Sequence, residues 1–207
     1  MSNLIFHNKN DYNNIYKDPL KFIDTLDSSK HIVLYYENED FGKKIQYRFI
    51  RNGLKKGDNC IYTTHEDNDL IIKKEMCNND INVDIYIERG LLKIFKIPDI
   101  MEHPSGLFRG AEEVFKKILS DLRPPFRLVG SFMYELITEE QIEANLALEH
   151  LCQSEFDKFG GMILCPYDVK KSPTGTQGKW VEVILENHNS VILVTDISGE
   201  GISINLE

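Results

Sequence analysis

The fold is decided by two stretches of sequence, HIVLYYENEDFGKK at residues 31–44 and KKGDNCIYTTHED at residues 55–67. In the first, an apolar run is followed by a polar segment that opens a helical pattern. The second contains another apolar run, which ends in acidic residues. An α/β nucleotide-binding domain keeps its phosphate loop in this strand–loop–helix–strand order, with the pattern G-x-x-x-x-G-K-[ST].

The phosphate-loop pattern is incomplete in this chain. Gly42 and Lys43 stand where the second glycine and the lysine belong, but Glu37 replaces the first glycine and Lys44 replaces the Ser/Thr that holds magnesium. The glutamate hinders close backbone approach to an anion, and the lysine removes the hydroxyl ligand. The sequence therefore predicts no normal triphosphate hydrolysis. Two interpretations of Gly42 and Lys43 stay open, a residual anion site and a solvated helix start with acidic capping.

The composition is typical of a globular chain. Its 207 residues are 42% hydrophobic and carry a net charge of -9. The length favours one domain and suffices for a sizeable core. The negative charge argues against a nucleic-acid or anionic-membrane partner. Four widely spaced cysteines without C-x-x-C predict a cytoplasmic protein, and no run approaches the ~20 apolar residues of a membrane span.

Strand-like and helix-like segments alternate along the chain. Strands are predicted at 31–36, 60–64, 91–97, 126–133, 162–166 and 191–195, with a short extended piece at 81–87. Helices are predicted at 39–51, 68–77, 108–122, 139–159 and 179–187. This alternation indicates a three-layer α/β fold, a mostly parallel sheet with helices on both faces. The polar residues 1–29 are predicted to be a loosely docked arm before a single domain at 30–207.

Several short motifs recur in a recognisable order. They are HIVLYY at 31–36, NGLKKG at 52–57, CIY at 60–62, ERGLL at 88–92, RLVGS at 127–131, LCPYD at 164–168 and ENH at 186–188. The first three resemble a KaiC/RecA-like ATPase core, a P-loop NTPase-like fold. The whole order resembles the MEDS domain, the DcmR-type sensory domain of archaea and bacteria. The resemblance implies a degenerate phosphate loop and a non-catalytic sensory or adaptor domain that binds a small molecule or a signalling protein, without a cofactor.

Side chains that follow the strands are predicted to share one rim of the sheet, because parallel strands bring their carboxyl ends together and ligands bind there. The three tyrosines of this set would form aromatic walls, and the carboxylates and a hydroxyl would orient a ligand. One carboxylate, Glu66, is either a residual general base or part of an acidic helix cap. The candidate ligand-binding residues are Tyr36, Glu37, Gly42, Lys43, His65, Glu66, Ser131, Tyr134, Glu135, Tyr167 and Asp168.

The histidines show no metal-site spacing. None of the six falls into H-x-x-x-H or H-E-x-x-H, so the sequence predicts no metal site. His31 opens the first strand and His188 precedes the last one, and for both a structural hydrogen bond and a ligand or proton-switch role stay open. Cys165 is interpreted as a buried strand thiol, and Arg127 as a structural ion-pair partner at the amino end of its strand.

Two alternatives to a sensory domain stay open. A divergent KaiC-like nucleotide-binding ATPase is disfavoured by the missing phosphate-loop residues. A homo-oligomeric assembly module, which KaiC/RecA-type cores often form, is not separated from a sensor by any residue pattern.

Overall fold

The structure is a computed structural model that describes residues 15–27, 29–101, 103–121, 123–131, 133, 135–159, 161–171, 177–194 and 200–206. Within these residues the strands are β1 (Ile15–Tyr16), β2 (Lys30–Tyr36), β3 (Asn59–Thr64), β4 (Leu92–Lys96), β5 (Phe126–Val129), β6 (Met162–Asp168), β7 (Ser190–Val194) and β8 (Gly201–Asn205). The α-helices are α1 (Pro19–Thr25), α2 (Glu39–Lys56), α3 (Asp69–Asn78), α4 (Val83–Glu88), α5 (Leu107–Ser120), α6 (Glu139–Phe159) and α7 (Gln177–Glu186).

The eight strands form one mostly parallel sheet in the order β1-β8-β7-β2-β6-β5-β3-β4. The six strands from β7 to β4 pair in parallel, whereas β8 pairs antiparallel with both β7 and β1. Strand β2 lies inside the sheet, and its residues Ile32, Val33 and Leu34 are completely buried. A strand covered on both faces must be apolar at successive positions, which explains the run at 31–36. The predicted three-layer α/β fold is confirmed.

Each face of the sheet carries its own hydrophobic core. Helices α1 to α4 pack on one face, where Phe49 of α2 joins Ile32 and Leu34 of β2. Helices α5 to α7 pack on the other, where Leu148 of α6 joins Val33 of β2. Successive strand residues point to opposite faces, so β2 serves both cores. None of the described helices is long and apolar enough to cross a bilayer.

Helix α2 is longer than predicted. The predicted helix ends at residue 51, but the helix continues to Lys56 and stops at Gly57, whose φ of 87° is the left-handed cap conformation. Gly53 has a packing role instead, because a Cβ atom there would lie 2.4 Å from Cδ of Arg127. Arg127 is fully buried and donates from Nε to Asp58 Oδ2 at 3.0 Å, which confirms the predicted structural ion pair.

Three strand predictions need correction. The piece at 81–87 is helical rather than extended, since the Asn82 side chain accepts a hydrogen bond from Ile85 N and opens α4. Strand β5 ends at Val129 rather than at 133, and β6 runs on to Asp168. The antiparallel strands β1, which has two residues at the edge of the sheet, and β8, which lies between β1 and β7, were not predicted.

The segment before residue 30 is not a loosely docked arm over its described part. Phe22 and Ile23 of α1 are buried in the core beside α2. Asp18 caps the helix by accepting from Leu20 N and Lys21 N. The sequence PLKFIDTL at residues 19–26 is amphipathic, and it builds a core helix because its apolar face is covered in the core beside α2. Residues 1–14 lie outside the described residues.

Candidate functional site

The connection from β2 to α2 lacks the length of a phosphate loop. Only Glu37 and Asn38 separate the strand from the helix. Asn38 is the N-cap, and its side chain accepts from Phe41 N at 2.9 Å. Gly42 therefore already lies inside the helix. Two residues do not provide the row of backbone N–H groups that wraps a phosphate.

The lysine of the degenerate motif is held by carboxylates. Lys43 Nζ lies 3.0 Å from Glu75 Oε1 and 3.3 Å from Glu39 Oε1. Burial lowers the pKa of Lys43, but the two glutamates outweigh it and raise the pKa above its usual value. Lys43 is therefore a protonated side chain whose positive charge is balanced by two nearby carboxylates. This geometry favours the solvated, acid-capped helix start over a residual anion site.

Gly42 is explained by packing. A Cβ atom at this position would lie 2.6 Å from Cγ of Tyr36, so the tyrosine ring lies directly against the first turn of α2. Only a residue without a side chain permits this approach. The glycine that resembles a phosphate-loop residue therefore serves to seat an aromatic ring at the carboxyl end of β2.

The carboxyl ends of β2, β3, β5 and β6 border one open cleft of about 270 Å³. Among the described residues, Glu37 and Gly42 do not border it, and the predicted Tyr134 lies outside the described residues. The predicted candidates that the fold brings together there are Tyr36, Lys43, His65, Glu66, Ser131, Glu135, Tyr167 and Asp168.

Two carboxylates of the cleft bond to nearby backbone. Glu66 Oε1 accepts from Asn68 N at 3.2 Å, just before α3. Asp168 Oδ1 accepts from Lys170 N at 2.9 Å in the turn after β6. These contacts agree with the capping interpretation of Glu66 and show that both side chains shape the turns at the rim.

A histidine bridges the rim between β3 and β5. His65 donates from Nε2 to the carbonyl of Ser131 at 3.1 Å. Burial lowers the pKa of His65, which favours its neutral form. A second cavity of about 660 Å³ continues from this point past the end of β4 and shares His65, Glu66, Met133 and Glu135 with the first. The edge therefore forms one extended groove.

Tyr167 borders the cleft, but its hydroxyl faces the opposite side of the sheet. It donates to Glu149 Oε1 and contacts Asn145 of α6, with 3.1 Å between Asn145 Nδ2 and the hydroxyl oxygen. Its ring packs edge-on against Trp180 with centroids 5.1 Å apart. The predicted aromatic wall therefore belongs to the core beneath α6.

Helix α6 carries a row of polar residues, three buried and one half-buried, on the face that meets the sheet. The row repeats every four residues, so its members lie above one another along the helix. Asn145 and Glu149 are 2% and 4% exposed. The members of the row are Gln141, Asn145, Glu149 and Gln153.

Glu149 lies at the centre of a closed cluster. Its Oε2 atom is 3.4 Å from His31 Nε2, 3.5 Å from His188 Nε2 and 3.8 Å from Cys165 Sγ. His31 Nε2 is 3.3 Å from Cys165 Sγ, and the two imidazole rings stack with centroids 3.9 Å apart. All four residues are buried, and one donor atom from each lies within 4.8 Å of every other.

The protonation states of this cluster follow from its burial. Burial lowers the pKa of His188 to about 4, so this imidazole is neutral at neutral pH. Burial raises the pKa of the Cys165 thiol well above its usual value. Burial also opposes ionisation of Glu149, but the neighbouring imidazoles and the Tyr167 hydroxyl, which donates to Glu149 Oε1, lower its pKa below the usual value. The cluster holds a carboxylate among nitrogen and sulfur donors.

Sequence patterns do not connect His31, Cys165 and His188 with one another, and the predicted site did not include the α6 residues that join them. A signal was present, because three polar residues at four-residue spacing run beside an apolar row of the same spacing. Such a polar row is unusual on the buried face of a helix. The polar residues are Asn145, Glu149 and Gln153, and the apolar ones are Ala144, Leu148 and Cys152.

Comparison with known proteins assigns the chain to a family. A family model described as "MEDS: MEthanogen/methylotroph, DcmR Sensory domain" matches residues 30–183. The structure is similar to that of a KaiC-like protein from the hyperthermophilic archaeon Pyrococcus horikoshii OT3, with a TM-score of 0.54 and 13% identity over 81% of this chain and 72% of that chain. This likeness shows the fold alone and confirms the KaiC/RecA-like architecture. No curated protein matches the chain.

Proposed function

The chain belongs to the MEDS family of sensory domains, and we propose that it is a non-catalytic sensor whose carboxyl-edge cleft binds a small organic molecule. The observation that carries the proposal is the cleft itself, formed where four strand ends meet. Open parallel sheets bind ligands at this edge. The cleft volume of about 270 Å³ suits a small molecule.

The charges around the cleft support a neutral or cationic ligand. Four carboxylates and two lysines line it, and one of those lysines, Lys43, is already paired with two glutamates. A triphosphate placed here would meet an excess of negative charge without a backbone cradle. The proposal therefore ranks a sensor of small neutral or cationic compounds above the nucleotide-binding ATPase.

A cytoplasmic setting is part of the proposal. All four cysteines are free, and three of them are buried. Buried free thiols are typical of proteins that stay in a reducing compartment. The net charge of -9 also supports a small-molecule or protein partner rather than nucleic acid.

The test is a thermal-shift series followed by calorimetry, with methanol, mono-, di- and trimethylammonium and Mg-ATP as probes. We expect at least one neutral or cationic probe to raise the Tm of the full chain, and we expect no response to Mg-ATP. The double variant Glu66→Gln with Asp168→Asn should lose that shift. Glu143→Gln, an exposed change on α6, is the control and should keep it.

Two results would overturn the proposal. Micromolar binding of Mg-ATP that Lys43→Ala abolishes would restore the nucleotide-binding alternative. A ligand-induced shift that survives neutralisation of both rim carboxylates would place the ligand outside this cleft.

A further inference from the structure

We propose that His31, Glu149, Cys165 and His188 form a binding site for one zinc-type transition-metal ion beneath α6. The site is separate from the carboxyl-edge cleft and does not rest on the proposed sensory function. Its four residues come from four places in the fold, β2, α6, β6 and the turn between α7 and β7. No pair of them has a metal-site spacing in the sequence.

The donor atoms are spaced like the corners of a coordination tetrahedron. Zinc lies about 2.0–2.3 Å from nitrogen, oxygen and sulfur ligands, so the edges of a tetrahedron around it measure about 3.3–3.6 Å. Four of the six edges of this cluster measure 3.3, 3.4, 3.5 and 3.8 Å, and the other two are no longer than 4.8 Å. A metal ion therefore needs only small side-chain shifts, chiefly the opening of the two stacked imidazole rings.

Both imidazoles are oriented with Nε2 toward the centre. His31 Nδ1 lies 3.0 Å from Gln153 Oε1, and His188 Nδ1 lies 2.6 Å from the Ile184 carbonyl. Both partners accept hydrogen bonds, so each Nδ1 carries the proton and each Nε2 offers its lone pair. Metal-ligating histidines are held by such outer acceptors as a rule. The Tyr167 hydroxyl likewise binds Glu149 Oε1 and leaves Oε2 facing the other donors.

One donor atom has no hydrogen bond. His188 Nε2 is completely buried and makes none within the described part of the chain, although Glu149 Oε2 lies 3.5 Å away. The nitrogen lone pair and the carboxylate oxygen are both acceptors, and they face each other without a proton between them. Buried polar atoms are almost always satisfied, and a metal ion would satisfy both at once.

The donor set selects the class of metal. Two imidazoles, a thiolate and a carboxylate suit Zn²⁺ and its analogue Co²⁺, whereas Mg²⁺ and Ca²⁺ require oxygen ligands. Four protein ligands fill a tetrahedron and leave no open position, which is the pattern of a structural site. The ion would join α6 to strands β2 and β6, and so fasten the helical layer to the sheet.

The first experiment measures metal binding by the full chain, purified without a polyhistidine tag. We expect one equivalent of zinc per chain by mass spectrometry of the purified protein or after dialysis against Zn²⁺. Replacement with Co²⁺ should produce visible bands of tetrahedral cobalt and a near-ultraviolet thiolate-to-cobalt band. The metal should also raise the Tm relative to chelator-treated protein.

The second experiment uses conservative variants. Cys165→Ser should remove the thiolate-to-cobalt band, whereas Cys77→Ser, an exposed change, should keep it. Glu149→Gln keeps the side-chain volume and should weaken zinc binding. Gln153→Leu removes the outer acceptor of His31 and should weaken zinc affinity about 10-fold to 100-fold. Circular dichroism identifies any variant that fails to fold, and the wild-type spectrum alone still tests the site.

Three outcomes would overturn the proposal. The first is wild-type protein with neither bound zinc nor a cobalt spectrum. The second is a thiolate-to-cobalt band that persists in Cys165→Ser. The third is metal binding unchanged in folded Glu149→Gln, which would assign the metal to other histidines.

Discussion

The carboxyl-edge cleft and the buried cluster share strands β2 and β6 but hold their polar groups in different ways. At the rim, Glu66 and Asp168 each bond to backbone two residues further along the chain. Beneath α6, Glu149 bonds and packs against residues from three other segments. A locally satisfied group can change without disturbing the fold, whereas a group shared among distant elements cannot. The difference separates a surface suited to ligands from a core that holds layers together.

The largest effect should come from Glu149→Leu. The Tyr167 hydroxyl would lose its buried acceptor, and an unsatisfied buried group costs about 1–3 kcal/mol. We expect the free energy of unfolding to fall by about 3 kcal/mol in urea titrations of metal-free protein. Glu143→Leu, on the exposed side of the same helix, should stay within about 0.5 kcal/mol of wild type. Equal effects of the two substitutions would remove the contrast between core and surface.

Gly42→Ala should have the next largest effect, at the border between core and cleft. The new methyl would meet the Tyr36 ring, and such overpacking costs about 1–3 kcal/mol, against a gain of about 1 kcal/mol in helix propensity. We expect a net loss of about 1 kcal/mol in the same titrations. Lys44→Ala, an exposed change in the same helix, is the control. A stabilised Gly42→Ala variant would show that the ring does not depend on this glycine.

His65 should make the rim sensitive to acid. Burial lowers its folded-state pKa below the usual 6.5, so the unfolded chain binds the proton more readily. The histidine therefore contributes stability that is present above pH 6.5 and is lost as the pH falls through the lowered folded pKa. Unfolding free energies measured from pH 8 to about pH 5 should fall more steeply for wild type than for His65→Gln. Parallel curves for the two proteins would contradict the assignment.

The smallest change in stability should come from the rim carboxylates. Glu66 is exposed and Asp168 is half-buried, so Glu66→Gln and Asp168→Asn should each change the unfolding free energy by no more than about 0.5 kcal/mol. The same double variant should nevertheless lose the ligand-induced rise in Tm. This dissociation between binding and stability is the sharpest contrast with Glu149. A loss of several kcal/mol in the unfolding free energy would show that the rim carboxylates stabilise the fold as Glu149 does.

Much of the fold was open to prediction from the sequence. The alternation of strand and helix patterns gave the parallel α/β layers, and the substitutions at Glu37 and Lys44 indicated that the phosphate loop is degenerate. The rule that parallel strands share a carboxyl edge was enough to group Tyr36, His65 and Ser131 around one cleft. These features depend on local pattern and on topology, which a sequence carries directly.

Tertiary structure alone decided where the distant side chains meet. The motif around Gly42 looked like a phosphate loop, and only the packing of Tyr36 shows why a glycine stands there. Likewise His31, Cys165 and His188 have no metal-site spacing, since each of these residues comes from a different segment. Glu149 joins them because α6 packs on the sheet in the orientation that turns Glu149 toward β2 and β6. Periodicity predicts that a helix has a buried face, but the partners of that face follow from the three-dimensional packing of all layers.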